Sequence, residues 1–391
     1  VTHADNNLLS KGPKRVLHVA GGMDRGGAES MIMNVYRNVD RHRVQFDFLV
    51  FTANRCDYDD EINALGGRIF RMNPMNFTRP MRTVRAFYNL INEHGPFQAV
   101  HAHTLFNIGW IMLCSRWAKI HIRIAHSHST KDTLSDSVLR RAYQRFMRII
   151  ILLNSTSIVA CGRDAGEFLF GKRFSKYGNV VPNAIDVASY QSASPDSVEA
   201  LSKALKIELD MIVIGQVGTF KRVKNHPHTL MVAKKLLDLG VKFRVVLAGD
   251  GELRSALQSY VTEYGLNGYV DFLGLRSDIP VVLRLLDILV MPSLYEGLPV
   301  ALVEAQAAGI PCLVSSRVTP EADLGTGLIE YLNLNDLDLW IDRIRKLGKR
   351  SIDSSGLSRI KNILSQKNYD VLANIDMFYQ FYEVGTVEGN V

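Results

Sequence analysis

Short apolar runs alternating with helix-forming stretches restrict this chain more than any other feature of it. Residues 15–20, 44–51, 98–101, 121–125 and 157–161 form one series of such runs. Residues 211–217, 242–248, 287–292 and 312–315, with a strand and turn over 270–279, form a second. The runs are mostly continuous rather than alternating in polarity, which is the pattern of strands buried on both faces of a parallel sheet. Parallel neighbours need crossovers, and the intervening helical stretches supply them. The expected class is α/β, with two Rossmann-like doubly wound domains facing across a cleft.

A chain of 391 residues is long for one core, and two domains of roughly 150–200 residues are expected. Residues 1–186 read as the N-terminal domain, opening on a loose polar leader over 1–13. Residues 187–198, rich in Ser, Ala and Pro, read as a linker. The C-terminal domain follows over 199–365, and 366–391 reads as a terminal helix packing back on the N-terminal domain. There is no signal peptide and no apolar run near ~18 residues, so no span of a membrane is expected. The cysteines, Cys56, Cys114, Cys161 and Cys312, form no CxxC pair and read as reduced cytoplasmic thiols rather than disulfides or zinc ligands.

Charge divides the two halves. Residues 1–185 carry 25 Lys+Arg and 14 Asp+Glu, and the remainder 21 and 25, leaving +11 and −4 within the net +7. A basic first half points to an anionic partner. The basic residues are not interleaved with exposed aromatics, and no nucleic-acid motif is present, so nucleic acid is not expected. A lipid surface fits better. Residues 138–153 carry Arg140, Arg141, Arg145 and Arg148 beside Leu139, Tyr143, Phe146 and Ile149. This is a basic amphipathic helix, suited to anionic lipid or to docking on its own sheet.

Chemistry concentrates at residues 294–311. An apolar strand ends at Pro292, and after a loop residues 300–308 form a helix closed by Gly309 and Pro311. Glu296 falls in the loop and Glu304 about a turn into the helix. The amides of Gly297, Leu298 and Val300 favour an anion at the helix start. Carboxylates repel phosphate but accept hydrogen bonds from hydroxyls. A nucleotide-sugar offers both, an anionic diphosphate between two hydroxyl-rich rings; the plain alternative is a loop acid and a solvated helix acid.

Other candidates lie at the carboxyl ends of strands, where doubly wound sheets gather function. Gly21 to Ser30 is a glycine-rich turn between strand and helix, without the G-x-G-x-x-G spacing. Two histidine pairs follow strands, His101-Ala-His103 and His126-Ser-His128. Gly218-Thr-Phe-Lys-Arg-Val-Lys-Asn225 is a basic turn, in which lysine attracts a diphosphate and arginine can grip it. Asp57-Tyr-Asp-Asp60 reads as a loop or helix start rather than a metal site.

Taken together, the chain resembles a family 4 retaining glycosyltransferase with the two-domain GT-B fold, of the kind that builds capsule and exopolysaccharide. The resemblance runs over nearly the whole chain. It rests on Glu296-Gly-Leu-Pro with Glu304-Ala-Gln-Ala-Ala-Gly309, Gly26-Gly-Ala-Glu29, Val181-Pro-Asn-Ala-Ile-Asp186, Lys224-Asn-His226, Gly249-Asp-Gly-Glu-Leu-Arg254 and Phe272-Leu-Gly274. It implies that Glu296 holds the transferred sugar and Glu304 the ribose hydroxyls. Lys224 and the backbone of Gly297 and Leu298 would bind the diphosphate, with Gly26 and Gly27 closing over it. Leu275 and Arg276 fall where the family binds the base. His126 matches the family's histidine near the sugar, and His128 is the competing assignment. Where the family commonly has arginine after the glycine equivalent to Gly218, this chain has Thr219. Lys221 or Arg222 substitutes, or donor use or activity is altered.

The implied reaction transfers a hexosyl group, with retention, from a UDP-sugar to a saccharide or lipid-linked saccharide acceptor bound by the first domain. No cofactor and no metal are expected, the nucleotide-sugar being a substrate. The implied location is cytoplasmic, peripheral on the inner face of the cell membrane. A nucleotide-sugar epimerase or hydrolase of the same fold, and a non-catalytic sugar-nucleotide-binding relative, are the alternatives.

Overall fold

A computed structural model describes residues 12–73, 80–132, 137–296, 298–350 and 354–383. The chain divides into two units, one of Val1–Ala184 with Val371–Val391 and one of Ile185–Asp370. In the first, β1 (Lys14–Ala20), β2 (Val44–Val50), β3 (Ile69–Arg71), β4 (Ala99–Ala102), β5 (Ile122–Ser127), β6 (Ser157–Ala160) and β7 (Asn179–Val180) form a sheet in the order β3-β2-β1-β4-β5-β6-β7. In the second, β8 (Ile212–Val217), β9 (Phe243–Ala248), β10 (Val270–Gly274), β11 (Ile288–Met291), β12 (Cys312–Ser315) and β13 (Ile329–Leu332) follow the order β10-β9-β8-β11-β12-β13. Every pairing is parallel.

Both orders reverse direction after their first strand, between β1 and β4 and between β8 and β11. That reversal opens a crevice beyond the strands' carboxyl ends. The strands are buried on both faces, as their composition requires: β2 is buried along its whole length, and each sheet separates two apolar clusters. A fully buried charge interrupts the first sheet. Asp47 on β2 accepts hydrogen bonds from Arg15 and Arg68, each at 2.6 Å. Burial would raise its pKa, but the two guanidinium groups and the Arg68 amide hold it below the ordinary carboxylate range.

Helices that bear on function are α1 (Gly27–Asn38), α2 (Val138–Asn154), α3 (Val187–Gln191), α4 (Pro195–Ala204), α5 (Val300–Ala307) and α6 (Val371–Phe381). Residues 187–198, read as a linker, hold α3 and the first turn of α4. Asp186 caps α3, accepting from Ser189 N at 3.2 Å, while Ser194 caps α4 with Pro195 in its first turn. Serine and proline, read as linker composition, are helix-start chemistry at this point. Val187 and Tyr190 are buried in the second unit.

The terminal helix α6 starts at Val371 rather than 366. Its Val371, Phe378 and Tyr379, with Tyr382 just beyond, are buried in the first unit, and Asp40 N donates to Tyr379 Oη at 2.8 Å. Of the leader over 1–13, residues 1–11 lie outside the described residues. Strands β3, β7 and β13 were not anticipated; β3 and β7 are short, and β13 is only half-buried for most of its length. All four cysteines are buried.

Candidate active site

In the second unit, the turn after β8 is shaped by close backbone approach. A Cβ on Gly249 would lie 2.0 Å from Gly218 O, and one on Gly251 would lie 2.8 Å from Phe220 N. Glycine is therefore required in the β9 turn for the β8 turn to rest on it. Phe220 N donates to Asp250 O at 2.9 Å and locks the two together. The chain then makes one 3-10 turn, Arg222–Lys224, and Asn225 adopts a left-handed conformation with φ 51. Its side-chain Nδ2 donates to Pro292 O at 3.0 Å, and Leu294 N donates to Val223 O at 2.8 Å. These bonds fasten the basic turn after β8 to the loop after β11, across the strand-order reversal.

The consequence is an ion pair. Lys224 Nζ stands 2.6 Å from Glu296 Oε1, and both side chains are more than four-fifths buried. The contact lies outside good hydrogen-bond angles, so Oε1 retains acceptor capacity. Glu296 also bridges Val318 through its backbone. Beyond it, α5 begins at Val300. Pro299 is its cap, and the amides of Val300 and Ala301 precede the intrahelical ladder. Leu298 is half-buried, and Gly297 lies outside the described residues.

Glu304, on α5, is half-buried and accepts from Tyr190 Oη at 2.7 Å. Burial pushes its carboxyl above the ordinary range, and the tyrosine hydroxyl pulls it partly back. Leu275 is exposed after β10, while Arg276 pairs with Asp278 through bonds of 2.8 and 2.5 Å. Thr219, Lys221 and Arg222 are all exposed on the β8 turn.

The first unit presents different chemistry. Gly26 caps α1 with extended backbone, and Gly27 is the helix's first residue. A Cβ on Gly26 would lie 2.3 Å from Glu29 Oε2, so the Glu29 carboxylate folds over its own helix start. Asp57 and its neighbours meet loop amides and arginines: Arg25 N donates to Asp57 at 3.1 Å, Asp59 pairs with Arg71, and Asp60 with Arg55.

At the carboxyl ends of β1, β4 and β5 stand five histidines: His18, His101, His103, His126 and His128. Ring nitrogens meet at 3.1 Å between His18 and His103, 3.1 Å between His101 and His126, and 2.8 Å between His103 and His128. Burial drives His18, His101, His103 and His126 well below the ordinary imidazole value, and neighbouring rings add to it. His128 is brought down to about 4 by burial, with Asn183 opposing. All five are therefore neutral at physiological pH.

The structure brings Lys224, Glu296 and Glu304 together in one unit, and His126 with His128 in the other. Sequence reasoning missed Tyr190, hidden in supposed linker, and both His18 and Tyr382. His18 could have been found from register, because it lies opposite His101 on the neighbouring strand.

Two Rossmann-like units of this strand order, with a lysine–glutamate pair at the second reversal point, define a protein of the GT-B fold. The Glycosyltransferase Family 4 model matches residues 25–189 and the Glycosyl transferases group 1 model residues 197–325. A protein named "Putative glycosyltransferase EpsF" in Bacillus subtilis (strain 168) is 40% identical over 381 residues, covering 97% of this chain and 98% of that one. The capsular polysaccharide biosynthesis glycosyltransferase CapH of Staphylococcus aureus is 26% identical over 348 residues, covering 86% of this chain and 91% of its own. The chain belongs to glycosyltransferase family 4. Among solved structures, Anabaena HepE in complex with UDP-glucose superposes with a TM-score of 0.71 at 18% identity, covering 94% of this chain and 99% of that one, a likeness of fold.

Proposed function

We propose that this glycosyltransferase moves a hexosyl group, with retention and without a metal ion, from a UDP-sugar to a saccharide or lipid-linked saccharide of surface polysaccharide synthesis. The observation that carries the reading is the Lys224–Glu296 pair at 2.6 Å, with Glu304 on the following helix. A nucleoside diphosphate-sugar matches that set group by group. Lys224 and the first amides of α5 oppose the diphosphate charge, which grows as the glycosidic bond breaks. Glu296 then accepts from sugar hydroxyls, and Glu304 beside Tyr190 accepts from the ribose. His126, in the first unit, is the residue that the family resemblance assigns to the sugar. Attack comes from the face the leaving group departs, and the departing phosphate takes the acceptor's proton. Lys221 and Arg222 supply the positive charge that Thr219 does not. HepE, which shares the fold, is named as a UDP-glucose complex, and CapH is named for capsular polysaccharide.

The acceptor side of the reading rests on α2. Among the described residues no helix is long and apolar enough to cross a membrane. Yet α2 exposes Leu139, Phe146, Ile149 and Leu153 as one stripe, flanked by exposed Arg141 and Arg145. Such a face suits shallow insertion into an anionic leaflet, on the cytoplasmic side where nucleotide-sugars are made.

A thermal-shift series with UDP-, GDP- and ADP-sugars tests the donor, since a ligand bound only by the native state raises the melting temperature. A selective rise with UDP-sugars, followed by transfer that persists in EDTA and yields the retained anomer, supports the reading. Donor turnover without acceptor would instead identify an epimerase or hydrolase. UDP binding with neither hydrolysis nor transfer would identify a non-catalytic relative.

A further inference from the structure

The five histidines do not form a loose cluster. Followed atom by atom, they make one unbranched hydrogen-bonded chain, closed in the middle by a tyrosine. His126 Nδ1 meets His101 Nε2 at 3.1 Å, and His101 Nδ1 meets Tyr382 Oη at 2.9 Å. Tyr382 Oη meets His18 Nε2 at 3.3 Å, and His18 Nδ1 meets His103 Nε2 at 3.1 Å. Finally His103 Nδ1 meets His128 Nε2 at 2.8 Å. The two ends return to each other, because the rings of His126 and His128 stack with centroids 4.0 Å apart. Only the terminal nitrogens, His126 Nε2 and His128 Nδ1, are buried without a hydrogen-bond partner.

Proton counting now constrains the chain. A neutral imidazole has one N–H and one lone pair in the ring plane, and a tyrosine hydroxyl has one proton to give. Every internal contact needs one donor and one acceptor. If one ring turns its proton round, every other member must turn with it, so the chain has two all-or-none states. Asn183 decides between them. Its Oδ1 and His128 Nδ1 are both buried without a hydrogen-bond partner, and the amide lies near enough to His128 to oppose the effect of burial on that ring. An oxygen there asks for a proton on His128 Nδ1. His128 Nε2 must then accept from His103, and the same sense passes through His18, Tyr382 and His101 to the far end.

We propose that His18, His101, His103, His128 and Tyr382 are positioning residues that fix one tautomer of His126, with its proton on Nδ1 and a bare lone pair at Nε2. His126 therefore meets its ligand as an acceptor and selects a hydroxyl that donates to it. A group offering only a lone pair, such as an ether or a fluorine in the hydroxyl's place, is rejected because two lone pairs would face each other in a buried site. The identity of that ligand as the transferred sugar rests on the glycosyltransferase reading above; the tautomer does not.

Two triads, His18–His101–His103 and His103–His126–His128, also bring one ligand atom per residue within 4.8 Å of one another, close enough to suggest a metal ion. The relay accounts for more. It pairs every ring nitrogen except the two at its ends, whereas a cation on either triad would take a lone pair from an existing contact.

Nitrogen-15 spectra of the imidazoles in the intact wild-type protein test this directly. The expected result is a single tautomer, with His126 Nε2 pyridine-like and His128 Nδ1 pyrrole-like. The reverse assignment, or a mixture at His126, overturns the proposal. Tyr382→Phe keeps the ring and removes the one hydroxyl that joins the two halves of the chain. It should leave His126 a tautomer mixture and lower kcat/KM for the donor about tenfold, while a deoxyfluoro donor should lose its disadvantage. If that variant fails to fold, the wild-type spectra still decide. Addition of one equivalent of Zn2+ should leave the His103 and His126 signals in place; their loss would replace the relay with a metal site. Should the spectra agree while no sugar is ever transferred, the relay stands and the glycosyltransferase reading falls.

Discussion

The two units share a strand order and differ in what they place at its reversal point. The first unit collects neutral, buried rings, and its buried charges are cancelled locally, Asp47 by Arg15 and Arg68 within the sheet and Asp59 by Arg71. The second leaves Lys224, Glu296 and Glu304 partly accessible, with the Glu304 carboxyl raised rather than quenched. One scaffold therefore serves two tasks. On the function proposed above, the charged groups meet the anionic, hydroxyl-rich donor. Groups whose hydrogen-bond sense is fixed, but which carry no charge, suit a neutral sugar, where a stray charge would only draw water.

The comparison can be broken most forcefully at Asp47. Asp47→Ala leaves Arg15 and Arg68 facing an empty buried site and should cost about 3–5 kcal/mol, measured by urea unfolding. Because its folded pKa is depressed, the stability it contributes is full above the ordinary carboxylate value. It is lost as pH falls below that value through the lower folded one. An acid transition unchanged in the variant would show that the pair is not what holds the first unit.

In the second unit the largest effect is expected at the reaction rather than at stability. Glu296→Gln should lower kcat about 10²–10³-fold with little change in melting temperature, because it replaces the carboxylate proposed to hold the sugar with a neutral amide that has one acceptor oxygen fewer. Full activity would strip Glu296 of its role. Tyr190→Phe should be milder, weakening UDP-sugar binding about tenfold in calorimetry. It also removes the bond that pulls the Glu304 carboxyl down, so binding should begin to fail at a higher pH on acidification. An unshifted pH profile would detach Tyr190 from Glu304.

The smallest catalytic effect is expected from the surface of the first unit. Phe146→Glu on α2 should leave transfer to a soluble acceptor unchanged while abolishing flotation with vesicles containing anionic lipid. Wild-type flotation should weaken in high salt. Binding that survives the substitution would move the lipid contact elsewhere.

Much of this was legible in the sequence because its causes are local. Continuous apolar runs announce buried parallel strands, and Glu296 and Glu304 are tied by spacing along one loop and helix. The Lys224–Glu296 pair was half legible, since both residues sat at strand ends but nothing in the chain states that Asn225 ties one loop to the other. Tyr190 was hidden because Ser194 and Pro195 read as linker when they start a helix. The histidine relay was illegible as a unit. It needs the register of β1 on β4 and the return of Tyr382 from 364 positions along the chain. No local pattern encodes a contact of that range.

That return also constrains how the protein is born. The first unit is discontinuous: its sheet is complete by Val180, but Phe378, Tyr379 and Tyr382 complete its core only after the second unit has been synthesised. A nascent chain paused on the ribosome at residue 200 thus carries a sheet with an uncovered apolar face and a histidine relay missing its middle link. The relay is thus closed late, by a tyrosine that follows the whole of the second unit in the chain.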